Sequence, residues 1–130
     1  MRNNISTIIT LYRTPLNKLE NLKFYKKLNL HIFEQDNNNK KYLKKILNFK
    51  FKYFFSQKNI GLSKSSNILL NKINTTYGLF TQADVSLDKN TINELEKVLK
   101  KDKKVIFVTP NFKKKKFKKK IVFVKKINAA

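Results

Sequence analysis

The sequence has no cysteine, no tryptophan and a single histidine, and only two glycines, two prolines and eight acidic residues. Without cysteine there is no disulfide framework and no thiolate zinc site. His31 alone cannot supply a multi-histidine metal centre. No apolar run approaches the ~20 residues of a membrane span, and no signal-peptide core is present. No cofactor is expected. Glu94 and Glu96 sit two apart on a helical stretch, so they point to different sides and form no acid–base dyad. Nothing reads as a nucleophile–base set or a phosphate-cradling glycine loop, and the sequence predicts no enzyme.

What is present is lysine. The 130 residues carry 30 basic groups and a net charge of +22, and only Arg2 and Arg13 are arginines. Such a density opposes compaction unless a polyanion neutralises it, which points to nucleic acid as partner. The charge is uneven: residues 1–47 carry +7, 48–80 carry +5, 81–102 carry −1 and 103–130 carry +11. Lysine, asparagine, isoleucine and phenylalanine dominate, as they do under a very AT-rich genome. With a basic, acid-free start, this suggests an organelle-encoded protein of the mitochondrial matrix.

Local patterns give a coarse layout. Ile5 to Tyr12 can be a strand or an arm. Thr14-Pro15 is a helix start, and Leu16, Leu19, Leu22, Tyr25 and Leu28 extend it to about Leu30, with His31 an ordinary helix-end residue. Asp36 to Asn39 reads as a loop. Lys40 to Phe49 forms a short basic amphipathic helix. Phe49, Phe51 and Tyr53 alternate with Lys50 and Lys52 as a strand. Gly61 supplies a backbone conformation that other residues do not reach. Tyr77-Gly78-Leu79 reads as a structural turn. Asp88 caps a helix through Ile92, Leu95 and Leu99. Lys104 to Thr109 and Ile121 to Val124 are strands. The expected class is α+β: a small antiparallel or mixed sheet packed on one main helix (about 88–101). Residues 1–48 form a mainly helical basic extension, and 49–130 form the domain.

From residue 49 the order of features resembles the large-subunit ribosomal protein L sixteen family, over about residues 49–127. The carriers are Phe49-Lys50-Phe51-Lys52, Gly61-Leu62-Ser63, Tyr77-Gly78-Leu79, Leu87 to Ile92, Lys104 to Val108, and Thr109-Pro110-Asn111-Phe112-Lys113. The family's glycine- and lysine-rich loop and its second helix are missing. The resemblance implies a structural constituent of an organellar large ribosomal subunit, binding its rRNA near the A-site side. Neighbouring ribosomal proteins would be partners, a separate chain would complete the C-terminal part, and no membrane would be involved. The alternative is a DNA-binding, nucleoid-type basic protein.

The expected RNA contacts are Lys50, Lys52, Lys58 and Lys64, together with Lys113, Lys114, Lys115, Lys116, Phe117, Lys118, Lys119 and Lys120. Lysine is a flexible point charge suited to phosphate and poor at reading bases. Phe112 and Phe117 either stack on splayed bases, worth about 1–3 kcal/mol each, or pack on the protein's own core.

Overall fold

The computed structural model describes residues 4–85, 87–109 and 122–125. Strand β1 (Ile5–Tyr12) is followed by a one-turn helix α1 (Leu16–Leu19) that tightens into a 3-10 helix (Glu20–Tyr25). Strand β2 (Leu30–Gln35), helix α2 (Lys40–Leu47), strand β3 (Lys52–Ser56) and helix α3 (Leu62–Lys72) come next. Strand β4 (Tyr77–Thr81), helix α4 (Lys89–Lys101) and strands β5 (Phe107–Val108) and β6 (Val122–Lys125) complete the order.

All six strands join one sheet in the order β3-β2-β1-β4-β6-β5. The four strands from β3 to β4 are parallel, and β6 runs antiparallel to β4. Parallel neighbours need crossover connections, and helices on both faces then make every strand apolar on both sides. That explains β1, whose Ile5, Ile8, Ile9 and Leu11 are all buried. One face of the sheet (Ile9, Ile32, Leu79) packs on Leu19 and Leu22, on Leu43 of α2, and on Ile92, Leu95 and Leu99 of α4. The opposite face packs Ile8 and Phe33 on Leu69 and Ile73 at α3. Each fully buried leucine of these layers contributes about 1.5–3 kcal/mol.

Four expectations are corrected here. The fold is α/β, with four parallel strands covered by helices on both faces and two antiparallel strands added at one edge, not a small antiparallel or mixed sheet packed on one main helix. Residues 1–48 are not a mainly helical extension, since they supply β1 and β2, the two strands at the heart of the parallel set. Strands from both sides of residue 48 pair directly, Phe33 lying opposite Phe54. Tyr77-Gly78-Leu79 is strand β4, and His31 lies inside β2. The local signal failed because strands covered on both faces lose alternation. Leu28 and Leu30 continue the helical spacing only by coincidence, with Asn29 breaking it in the left-handed region at φ 47. Gly78 is a matter of space: a Cβ there would meet Ile73 Cδ1 at 3.3 Å, so the end of α3 packs against bare backbone.

Helix α4 forms where the sequence placed it. Its first turn is capped by Asp88, whose Oδ1 accepts from the Thr91 amide at 2.7 Å. Backbone bonding holds the Asp88 carboxyl below its ordinary range. Among the described residues no helix is long and apolar enough to cross a membrane.

Candidate functional site

The strand order turns at β1: the chain leaves β1 toward β2 on one side, while β4 flanks it on the other. In open α/β sheets the crevice at such a switch point, outside the carboxyl ends of the strands, is where ligands bind. A cleft of about 550 Å³ lies there. It is lined by Arg13, Thr14 and Lys18 after β1, by Asn59 and Gly61 before α3, and by Gln82, Ala83 and Asp84 after β4.

Each lining group is placed by a local device. Arg13 sits at φ 49 and donates through Nε to Asp36 Oδ2 at 2.6 Å, while its guanidinium lies 5.2 Å from the centre of the Tyr12 ring. Those contacts hold the guanidinium pKa above its ordinary value, chiefly through the hydrogen bond to Asp36. Asp36, itself at φ 74, starts the loop after β2. Beneath that loop Glu34 is fully buried; its carboxylate accepts from the Asn39 amide at 2.6 Å, from Asn39 Nδ2 at 2.7 Å and from the Tyr53 hydroxyl. Burial first, and then the bond to Glu34, pushes the Tyr53 phenol far up. Gln35 Oε1 accepts from the Ile60 amide at 2.6 Å, tying the β3–α3 connection to β2.

Gly61, at φ 91, opens α3 toward the cleft. Ser65 on the first turn of α3 is 2.9 Å from Thr10 Oγ1 of β1, fixing the helix N-terminus over the strand ends. Such a terminus offers unpaired amides and partial positive charge to an anion. On the far side Asn21 Nδ2 donates to the Ala83 carbonyl at 2.8 Å, and the Val85 amide bonds the Gln82 carbonyl at 3.2 Å. This turn presents Gln82 and Asp84 at the rim. The cleft therefore gathers two cations and a helix N-terminus with one carboxylate and the side-chain amides of Gln35, Asn59 and Gln82.

Neither a family model nor a curated protein sequence matches the chain. Solved structures do match in shape. The mannosyltransferase PcManGT from Pyrobaculum calidifontis, in complex with GDP-Man and Mn2+, aligns with a TM-score of 0.71 at 15% identity, over 94% of this chain and 44% of that one. Bifunctional IspDF from Campylobacter jejuni aligns at 0.54 and 17% identity, over 94% and 41%. S. aureus TarS 1-349 aligns at 0.50 and 19% identity, over 75% and 32%. The fold is shared with transferases. This chain spans less than half the length of each.

The shared fold overturns the ribosomal reading. The neighbours are glycosyltransferase and nucleotidyltransferase folds rather than the L sixteen family, and nothing supports rRNA or DNA binding. The non-enzyme expectation and the ribosomal partners, including rRNA and a completing chain, fall on the same finding. The quoted motifs were real features in other roles. Gly61-Leu62 starts α3 at the cleft, Tyr77-Gly78-Leu79 is a covered strand, and Leu87 to Ile92 opens α4.

Among the expected contact lysines, the structure separates Lys50 and Lys52 at the amino end of β3 from Lys58, in the loop beyond its carboxyl end, and from Lys64, exposed on α3. Lys113, Lys114, Lys115, Lys116, Phe117, Lys118, Lys119 and Lys120 lie outside the described residues. Of the residues that line the cleft, Gly61 was singled out for its backbone alone, and none was expected as a site residue. Arg13 carried the one usable signal: it is one of two arginines in a lysine-dominated chain, and it directly follows an apolar strand.

The donors at the cleft limit how a divalent cation would be held. Among the described residues no three His, Cys, Asp or Glu side chains gather as a metal cage. Hard cations that keep waters and take substrate phosphates need only one or two carboxylates from the protein. At the cleft Asp84 supplies one carboxylate and Gln82 an amide oxygen.

Proposed function

We propose that the chain is the donor-binding part of a transferase that uses a nucleoside-diphosphate sugar. The single observation that carries this reading is the cleft at the β1/β4 switch point, where Arg13, Lys18, the α3 N-terminus and Asp84 line one space of small-molecule size. The fold likeness to a mannosyltransferase holding GDP-Man supports it.

The roles follow from the chemistry of each group. Arg13 and Lys18 offset the charge of the diphosphate, and Arg13, stacked on Tyr12 and held by Asp36, is pre-oriented for it. The amides at the start of α3 take phosphate oxygens, an approach that Gly61 leaves open because no Cβ stands there. Gln82 and Asp84 would hold a divalent cation. When bound, that ion would neutralise charge building on the leaving diphosphate. Thr14 and Asn59 offer neutral hydrogen bonds to the sugar hydroxyls of the donor.

Titration calorimetry of the full chain with GDP-mannose and UDP-glucose tests this. The expected result is saturable binding of at least one of them that strengthens with Mn2+ and weakens in Asp84→Asn and Arg13→Ala. Mn2+ alone should bind weakly. No binding of either nucleotide sugar, or binding indifferent to both substitutions, overturns the reading.

A further inference from the structure

The opposite end of the sheet carries a second, wholly cationic pair of clefts. One, of about 760 Å³, is lined by Lys40, Lys44, Lys50 and Lys52 with Phe49 and Phe51 among its walls. The other, of about 320 Å³, is lined by Lys52, Lys72, Asn74 and Thr75. Asn29, His31 and Lys52 belong to both, so the two clefts meet at His31. Among the described residues not one Asp or Glu lines either.

His31 is the unusual group. It is only 8% exposed and sits directly across the sheet register from Lys52. Its Nδ1 lies 2.7 Å from the Asn29 carbonyl, an acceptor, so Nδ1 carries the proton. That leaves Nε2 with a lone pair in the neutral ring, and among the described residues it makes no hydrogen bond. Among the described residues no buried side-chain nitrogen or oxygen lacks a partner, and His31 lines both clefts, so Nε2 reaches the cleft space. Burial, and secondarily the charge of Lys52, pulls the imidazole pKa below its ordinary value. Every charged group lining the clefts around it is a cation: Lys52 on β3, Lys72 on α3, and Lys40 and Lys44 on α2. Two of these are steadied by aromatic rings, Lys72 Nζ lying 5.9 Å from the Phe54 centre and Lys40 Nζ 6.0 Å from that of Tyr53.

A protein that gathers five lysines around a buried histidine with no carboxylate lacks the counter-charge. We propose that these clefts bind a phosphorylated small molecule, with its phosphate on His31, Lys52 and Lys72 and its apolar body against Phe49 and Phe51. A phosphate monoester brings close to two negative charges and three acceptor oxygens, which matches two ammonium groups and one imidazole better than a carboxylate does. The Phe49 and Phe51 rings, edge to face at 6.4 Å, form the apolar wall. This site is separate from the carboxyl-end cleft and takes up Lys50 and Lys52, two of the lysines singled out in the sequence.

His31 is the chain's only histidine, so its ring resonances need no assignment. Phenyl phosphate at pH 7 should shift them saturably, with the imidazole driven toward its charged form. The double variant Lys52→Ala/Lys72→Ala, both exposed positions, should keep the melting temperature and lose about tenfold or more in affinity, as for two charge-assisted contacts. Vesicles of phosphatidylcholine with phosphatidate distinguish the source of the phosphate. Flotation that the double variant loses assigns it to a lipid headgroup, whereas a shift with phenyl phosphate and no flotation assigns it to a soluble ligand. Ring signals unmoved by both probes, or binding undiminished in the double variant, overturns the proposal. Asp84→Asn should leave all of these readouts unchanged, so failure here is distinct from failure of the nucleotide-sugar reading.

Discussion

Arg13 and Asp36, 23 residues apart, join the carboxyl ends of β1 and β2 through a bond of 2.6 Å. Both lie in the left-handed region, at φ 49 and φ 74, so each strand turns sharply as soon as it leaves the sheet. The pair is solvent-exposed and adds little to stability. Its consequence is positional, because it fixes the one guanidinium in the cleft.

Arg13→Lys tests that positioning. Lysine keeps the charge but loses the planar fork and the stacking on Tyr12. Nucleotide-sugar affinity should fall about tenfold on loss of a charge-assisted contact, while the urea midpoint stays within error of the parent. Calorimetry paired with urea denaturation reads both.

Gly61 makes a backbone prediction. Its φ of 91 with ψ 160 lies where only glycine is at ease, although a Cβ would meet nothing within 4 Å. Gly61→Ala should therefore cost about 1–3 kcal/mol from backbone strain alone. Chemical denaturation measures the loss. A neutral result would mean the loop relaxes at no cost.

Tyr53 sets an alkaline limit. Its folded pKa lies above the ordinary 10.0 because burial and Glu34 favour the neutral phenol. The folded state keeps a proton that the unfolded chain gives up, so this stability is complete below about pH 10 and declines as pH rises beyond it. Tyr53→Phe should flatten that decline and, by removing one donor from buried Glu34, cost about 1–3 kcal/mol at pH 7. Melting curves of both proteins from pH 8 to 11 show it.

His31 sets an acid limit of opposite sign. Its folded pKa lies below 6.5, chiefly through burial. The unfolded chain then binds the extra proton first, so stability present above about pH 6.5 is lost as pH falls through the folded value. His31→Asn should make the midpoint between pH 7 and 5 less pH-dependent. Phosphate should do the same to the parent if the amino-end clefts bind it.

Helix α4 was readable in advance because its signals are local. Asp88 caps it and Ile92, Leu95 and Leu99 repeat on one face, so three turns of sequence contain the whole argument. The parallel sheet was not readable, because its evidence is long-range. Ile8 is apolar on account of Leu69 and Ile73, and Ile9 on account of Leu19 and Leu43, so β1 shows no alternation to recognise. Gly78 reads as a turn until α3 is seen packed on it. The cleft shared this fate: Arg13, Gly61 and Asp84 are 48 and 23 residues apart in sequence, and only the strand order makes them neighbours.

By itself, the sequence determined the excess of positive charge, the absence of cysteine chemistry, and the helix after Asp88. Composition and short-range spacing are properties of the chain before it folds. Tertiary structure decided where the cations stand: Arg13 at the switch point beside a helix N-terminus, and Lys52 and Lys72 around a buried histidine. Pairing β1 between β2 and β4 is what separates these two sets to opposite ends of the sheet, because parallel strands bring all their carboxyl ends to one edge and all their amino ends to the other.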